Sequence, residues 1–134
     1  MANPATRSYR SALSRARGLG AAKDGTAHWW AERVTSVALV PLTLWFAFAV
    51  VSLNGAGYEE VRAWLAQPWV AIGTLLLLLA TFYHAALGCQ VILEDYVDSY
   101  GWRIASILAV KSLCFVLGVA STFAVAKIAF TVSV

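Results

Sequence analysis

The chain has 134 residues, 60% of them hydrophobic and 13% charged, with a mean hydropathy of +0.71. A soluble domain of this size carries about twice that charged fraction, and this much apolar surface could not be hidden in so short a chain, so the solvent is lipid. The net charge of +3 does not indicate nucleic acid, because five of the ten basic residues fall within the first 23 positions, ahead of any apolar run.

Residues 1–28 form a basic N-terminal segment, rich in Arg, Ala and Ser and nearly free of acid. It lacks the apolar stretch of a secretory signal. Its composition suits either an organellar transit peptide or a cytoplasmic tail that touches anionic lipid or a soluble partner, and the tail is the preferred reading. The first uncharged run, Val34 to Leu53, has 20 residues, enough for a helix of about 30 Å that crosses a bilayer core. Pro41 lies inside it and is tolerated if a hydroxyl such as that of Thr43 compensates the freed carbonyl. A polar loop with a small amphipathic turn follows from Asn54 to Pro68. Trp69 to Leu93 is a second charge-free run of 25 residues, and an acidic turn, Glu94 to Gly101, leads to a third run that contains Lys111. The chain is therefore read as all-α, with a three-helix transmembrane domain over residues 29–134 and helices at about 30–53, 68–94 and 102–130.

Arg7, Arg10, Arg15, Arg17, Lys23 and Arg33 precede the first helix, and Arg103 follows the acidic turn. The positive-inside rule then places the N-terminus and that turn in the cytoplasm, and the C-terminus in the periplasm. Trp29, Trp30, Tyr96, Tyr100 and Trp102 mark the inner interface. Cys89 and Cys114 both fall within spans and receive no role.

Polar groups inside a lipid-facing helix are costly and need partners. His84 sits about 14 Å inside the second span, where a neutral imidazole either bonds to a facing helix or serves as an axial ligand of haem. Asp95, eleven residues on, returns to within about 20° of the same helix face, and Gly88 lies on the same stripe. Glu94 and Asp95 face the negative end of the helix dipole, so cations must offset them. Arg33 and Arg103 are available, either as a salt-bridge cluster that fastens three helix ends or, with Tyr96 as a donor, as part of a site that binds and protonates a quinone. His28, with Arg33, is either an interfacial residue or a contact for haem propionates. Lys111 either snorkels or pairs with a propionate or a partner carboxylate.

The run from His84 through Val97 resembles the second-helix signature of the D-type hydrophobic membrane anchors of succinate dehydrogenase, respiratory complex II. That pattern is a His, a Gly four residues on, Asp-Tyr at eleven and twelve, and an Arg about eight residues past the Asp; here they are His84, Gly88, Asp95, Tyr96 and Arg103. The entry through His28 and Arg33, the three-helix layout and the length agree. The resemblance implies a subunit of succinate:ubiquinone oxidoreductase in the bacterial inner membrane, or alternatively the mitochondrial one. It further implies a haem b shared with a second, cytochrome b556-type anchor, with His84 as one axial iron ligand, and docking of an iron–sulfur subunit and a flavoprotein. Tyr96 would bond ubiquinone, Asp95 would relay protons there, Arg33 and His28 would contact propionates, and Arg103 would orient the Asp95 cluster. With two Cys, both intramembrane, and no dinucleotide motif, the chain cannot itself hold the centres that would feed electrons to such a site. A purely structural anchor, a fumarate reductase anchor and a small proton-conducting component are the other readings.

Overall fold

A computed structural model describes residues 25–132, and the basic segment up to residue 24 lies outside them. Four helices follow in order: α1 (Gly25–Ser52), α2 (Tyr58–Leu65), α3 (Pro68–Tyr96) and α4 (Tyr100–Val132). No strand occurs among the described residues. Three helices, α1, α3 and α4, are long and apolar enough to cross a membrane. Their apolar residues are spread around the whole circumference, as lipid on one side and protein on the other require. Trp29, Phe48, Leu108 and Phe123 are among the large side chains that stand exposed.

The helices are longer than the charge-free runs. α1 starts ahead of His28, and α3 continues through Glu94 and Asp95 to Tyr96, leaving three residues, Val97 to Ser99, to turn the chain into α4. α4 passes through Lys111 without a break, since a lysine costs solvation but no backbone bond. Between α1 and α3 the polar loop contains a true two-turn helix, α2, rather than a single amphipathic turn. Its start is fixed by the carboxylate of Glu60, which accepts the Gly57 backbone N–H at 2.9 Å. Gly55 turns the chain out of α1 with φ +85, a left-handed conformation that suits glycine.

α1 runs unbroken past Pro41, but not by the compensation foreseen in the sequence. Proline frees the carbonyl of Val37, four residues back, whereas the Thr43 hydroxyl donates to Leu39 O at 2.6 Å and reaches Val40 O at 3.1 Å. The local spacing makes the nearer carbonyls the accessible ones.

α3 is the central helix and packs on both α1 and α4, which do not pack on each other. The α1 face closes where Trp45 lies against Gly73: a Cβ there would sit 2.8 Å from the indole ring, so glycine is what allows the approach. On its other side Trp45 stacks on Trp64 of α2, with ring centres 6.5 Å apart. α4 approaches α3 where Gly118 meets the Phe82 ring at ordinary van der Waals distance. The small core of Val70, Ala71, Thr74, Leu77 and Leu87 on α3, with Val125 on α4, shows the central position of α3.

Candidate functional site

The link between α1 and α3 that bears on function is polar. His84 Nδ1 lies 2.9 Å from the Thr35 hydroxyl oxygen. That hydroxyl has one proton, and it is engaged by backbone carbonyls, at 2.7 Å to Ala31 O and 3.0 Å to Glu32 O. With that proton on a backbone carbonyl, the oxygen is the acceptor toward the imidazole. In the neutral ring this arrangement fits the tautomer with the proton on Nδ1, which leaves Nε2 as the lone pair. A ring held at Nδ1 with a free Nε2 is the arrangement in which histidine binds a metal, its orientation and tautomer set by the second hydrogen bond.

The contacts Thr35–His84 and Trp45–Gly73 give one antiparallel register, each step along α1 matched by one step back along α3. It sets His28 level with Gln90, and Arg33 level with Ala86, close to the level of His84. His28 and His84 are thus separated by about 10 Å along the bundle and cannot ligate one iron from opposite sides. Among the described residues there is also no group of three His, Cys, Asp or Glu able to hold a metal ion. The donor chemistry fits one axial imidazole from this chain, with the second ligand from elsewhere.

The register also dismantles the salt-bridge cluster considered from the sequence. Arg33 lies about 13 Å along the bundle from Asp95 and, being about 200° round α1 from Thr35, faces away from α3. It lies over the Trp29 ring at 5.2 Å. Arg103 is level with the end of α3, yet its guanidinium lies over the Tyr100 ring at 5.8 Å. Glu94 is bound within its own helix by Gln90 Nε2 at 2.6 Å. Among the described residues the ion pair present is Arg62–Glu59 at 3.8 Å, on α2. Asp95 is exposed and has no bonding partner among the described residues, and Tyr96 beside it is 82% exposed. Both therefore stand open at the mouth of the helix that carries His84. Gly88, between them and His84, has nothing within 4 Å of where a Cβ would be, so that stripe of α3 is open to close approach.

Thr35 is the site residue the sequence reading missed. Its signal was present: Thr35 lies one heptad after His28, on the same face of α1, in an otherwise apolar span. The register needed to pair it with His84 was not.

These features define a three-span membrane protein with one held imidazole inside the bundle and an exposed acid and phenol at one helix end. Residues 7–126 match the model of the succinate dehydrogenase/fumarate reductase transmembrane subunit family, and the chain belongs to that family. It is 32% identical over 106 residues to the succinate dehydrogenase hydrophobic membrane anchor subunit of Rickettsia bellii, covering 79% of this chain and 85% of that one. The subunit of the same name from Paracoccus denitrificans is 31% identical over 119 residues, covering 89% and 92%. The succinate dehydrogenase membrane anchor subunit of Reclinomonas americana is 26% identical over 92 residues, covering 66% and 77%. No solved structure matches the chain. The protein is a multi-pass protein of the bacterial inner membrane, and it works beside other subunits of an enzyme complex.

Proposed function

We propose that the chain is a membrane anchor subunit of succinate:ubiquinone oxidoreductase that shares a b-type haem with a second anchor subunit and a ubiquinone-reduction site with that subunit and the iron–sulfur subunit. The observation that supports this reading is the Thr35–His84 bond, which in the Nδ1–H tautomer leaves the Nε2 lone pair of a half-buried imidazole free for a metal. His84 would supply one axial ligand and, with His28 offset by about 10 Å, the other would come from the partner anchor. Arg33, on the outer face of α1 near the level of His84 and ion-paired with no carboxylate among the described residues, is the cation offered to propionates, with His28 a further contact. When bound, the haem supplies a one-electron carrier whose potential is set by its ligands and their hydrogen bonds.

The quinone chemistry is assigned to Asp95 and Tyr96. Reducing a quinone to a quinol takes two electrons and two protons; the electrons come from the iron–sulfur partner, so the site belongs at the membrane edge where that partner docks. The Tyr96 phenol donates a hydrogen bond to a quinone carbonyl and raises its electron affinity. The Asp95 carboxylate, exposed and without an ion pair among the described residues, takes protons from water and passes them on. Arg103, level with the end of α3, is the positioning cation there. The six basic positions from Arg7 to Arg33 put this end of the bundle, with the docked soluble subunits, on the cytoplasmic side.

Purification of the tagged chain in mild detergent tests the assignment. Two larger soluble subunits and a second small apolar one should co-purify, with succinate–quinone reductase activity and a b-type absorbance band. Isolation of the chain alone, or a complex that reduces quinone without such a band, would overturn it.

A further inference from the structure

The imidazole of His84 has a neutral hydrogen-bond partner although a carboxylate residue stands nearby on the same helix. Glu32 lies one turn before Thr35 on α1, yet it offers this seam its backbone carbonyl, and no carboxylate is within ion-pair distance of the ring among the described residues. The partner is the Thr35 hydroxyl, 2.9 Å from Nδ1. Ala31 O is the shorter of the two contacts open to the hydroxyl proton, at 2.7 Å, while Glu32 O, at 3.0 Å, also accepts the Ser36 hydroxyl at 2.7 Å.

Donation to a carbonyl of the preceding turn selects among the few χ1 positions open to a helical threonine, so the lone pairs of the oxygen are aimed before any ligand arrives. A hydroxyl that donates is also a better acceptor, because each hydrogen bond in a chain polarises the next. The chain from Nδ1–H through Thr35 Oγ1 to Ala31 O therefore leaves more electron density at Nε2 than an unpartnered ring would have. The push is smaller than a carboxylate's, since no full negative charge faces the ring. A partner of this kind strengthens Nε2 as a donor to iron. Ferric iron, with one more positive charge, gains more from it than ferrous iron does, so the reduction potential falls.

We propose that Thr35 is the positioning residue that sets the reduction potential of a haem ligated by His84, below the value an unpartnered imidazole would give and above the value a carboxylate partner would give. The proposal rests on the reading of His84 as an axial ligand and adds which oxidation state of the iron the α1–α3 seam favours. Thr35 acts through the ring and not on iron or quinone directly. An outer partner of a metal-bound imidazole is worth at least about tenfold in affinity. A tenfold preference for ferric over ferrous iron is a shift of about 59 mV in a one-electron couple.

The test is an optical redox titration of the b-type band in the purified intact complex, prepared with excess haem so that the midpoint is read from the occupied fraction whatever its size. Thr35→Val removes the acceptor and should raise the midpoint by about 59 mV. Thr35→Cys, whose sulfur is a weak acceptor, should raise it by less, and it carries the test if Thr35→Val retains no haem. Thr35→Ser keeps the hydroxyl and should match the wild type. Midpoints of the Val and Cys variants equal to the wild type, or below it, would overturn the proposal while leaving ligation by His84 standing. A Ser variant shifted as far as the others would trace the change to packing and overturn it as well. A wild-type complex with no b-type band would overturn the ligation itself, and this proposal with it.

Discussion

Replacing Thr35 by Val keeps the shape of the side chain and removes the oxygen that lies 2.9 Å from His84 Nδ1. The lost hydrogen bond is worth about 1 kcal/mol, and a buried N–H left without an acceptor costs about 1 to 3 kcal/mol, so the ring will turn or change tautomer to recover a partner. Either response takes Nε2 out of its metal-binding state. Loss of an outer hydrogen bond of this kind typically weakens metal binding by about tenfold to a hundredfold, the same range that these energies give. The assay is haem per complex, from the reduced-minus-oxidised spectrum of enzyme purified at limiting haem, with succinate oxidation by a soluble dye as the control for assembly. Thr35→Val should lower haem occupancy at least severalfold at unchanged dye activity, and Thr35→Ser, which keeps the oxygen, should restore it. Wild-type occupancy in Thr35→Val would refute the inference that Thr35 sets the state of His84.

Other expectations follow from single contacts. Tyr96→Phe removes a phenol that is exposed at the end of α3 and should lower quinone reduction about tenfold to a hundredfold while succinate–dye activity is retained; equal loss of both would place Tyr96 outside the quinone site. Gly73→Ala drives a Cβ to 2.8 Å from the Trp45 ring, which must shift to make room, and should cost about 1 to 3 kcal/mol of α1–α3 packing, seen as a lower thermal midpoint of the complex. Gly55→Ala forces φ +85 on a residue with a side chain and should cost about 1 to 2 kcal/mol by the same measurement, whereas Gly118→Ala, in open van der Waals contact with Phe82, should be nearly neutral.

The three spans were legible because hydrophobic length and scarce charge set them directly: two uncharged runs, and a third interrupted by Lys111, are long enough to cross the bilayer core. The helix ends were less so, since a helix continues into the interface wherever its backbone bonds are satisfied, and α3 carries Glu94 and Asp95 beyond the apolar run. α2 was read as a turn because eight residues give little periodicity, although Glu60 three residues after Gly57 is a start signal. His84, Asp95 and Tyr96 could be singled out from spacing on one helix. What joins helices could not: the salt-bridge cluster was inferred from charge and proximity to helix ends, and the register set by Trp45–Gly73 puts Arg33 elsewhere. The same register creates the Thr35–His84 bond, which a one-dimensional pattern does not contain.

The central claim is that His84 binds iron on behalf of a complex assembled around this chain. The most direct measurement is the reduced-minus-oxidised spectrum of the purified complex carrying His84→Leu, beside the wild type. The b-type band should vanish, or shift with changed ligation, while the subunits remain together and oxidise succinate with a soluble dye. An unaltered band, in an assembled complex of the same composition, would contradict it.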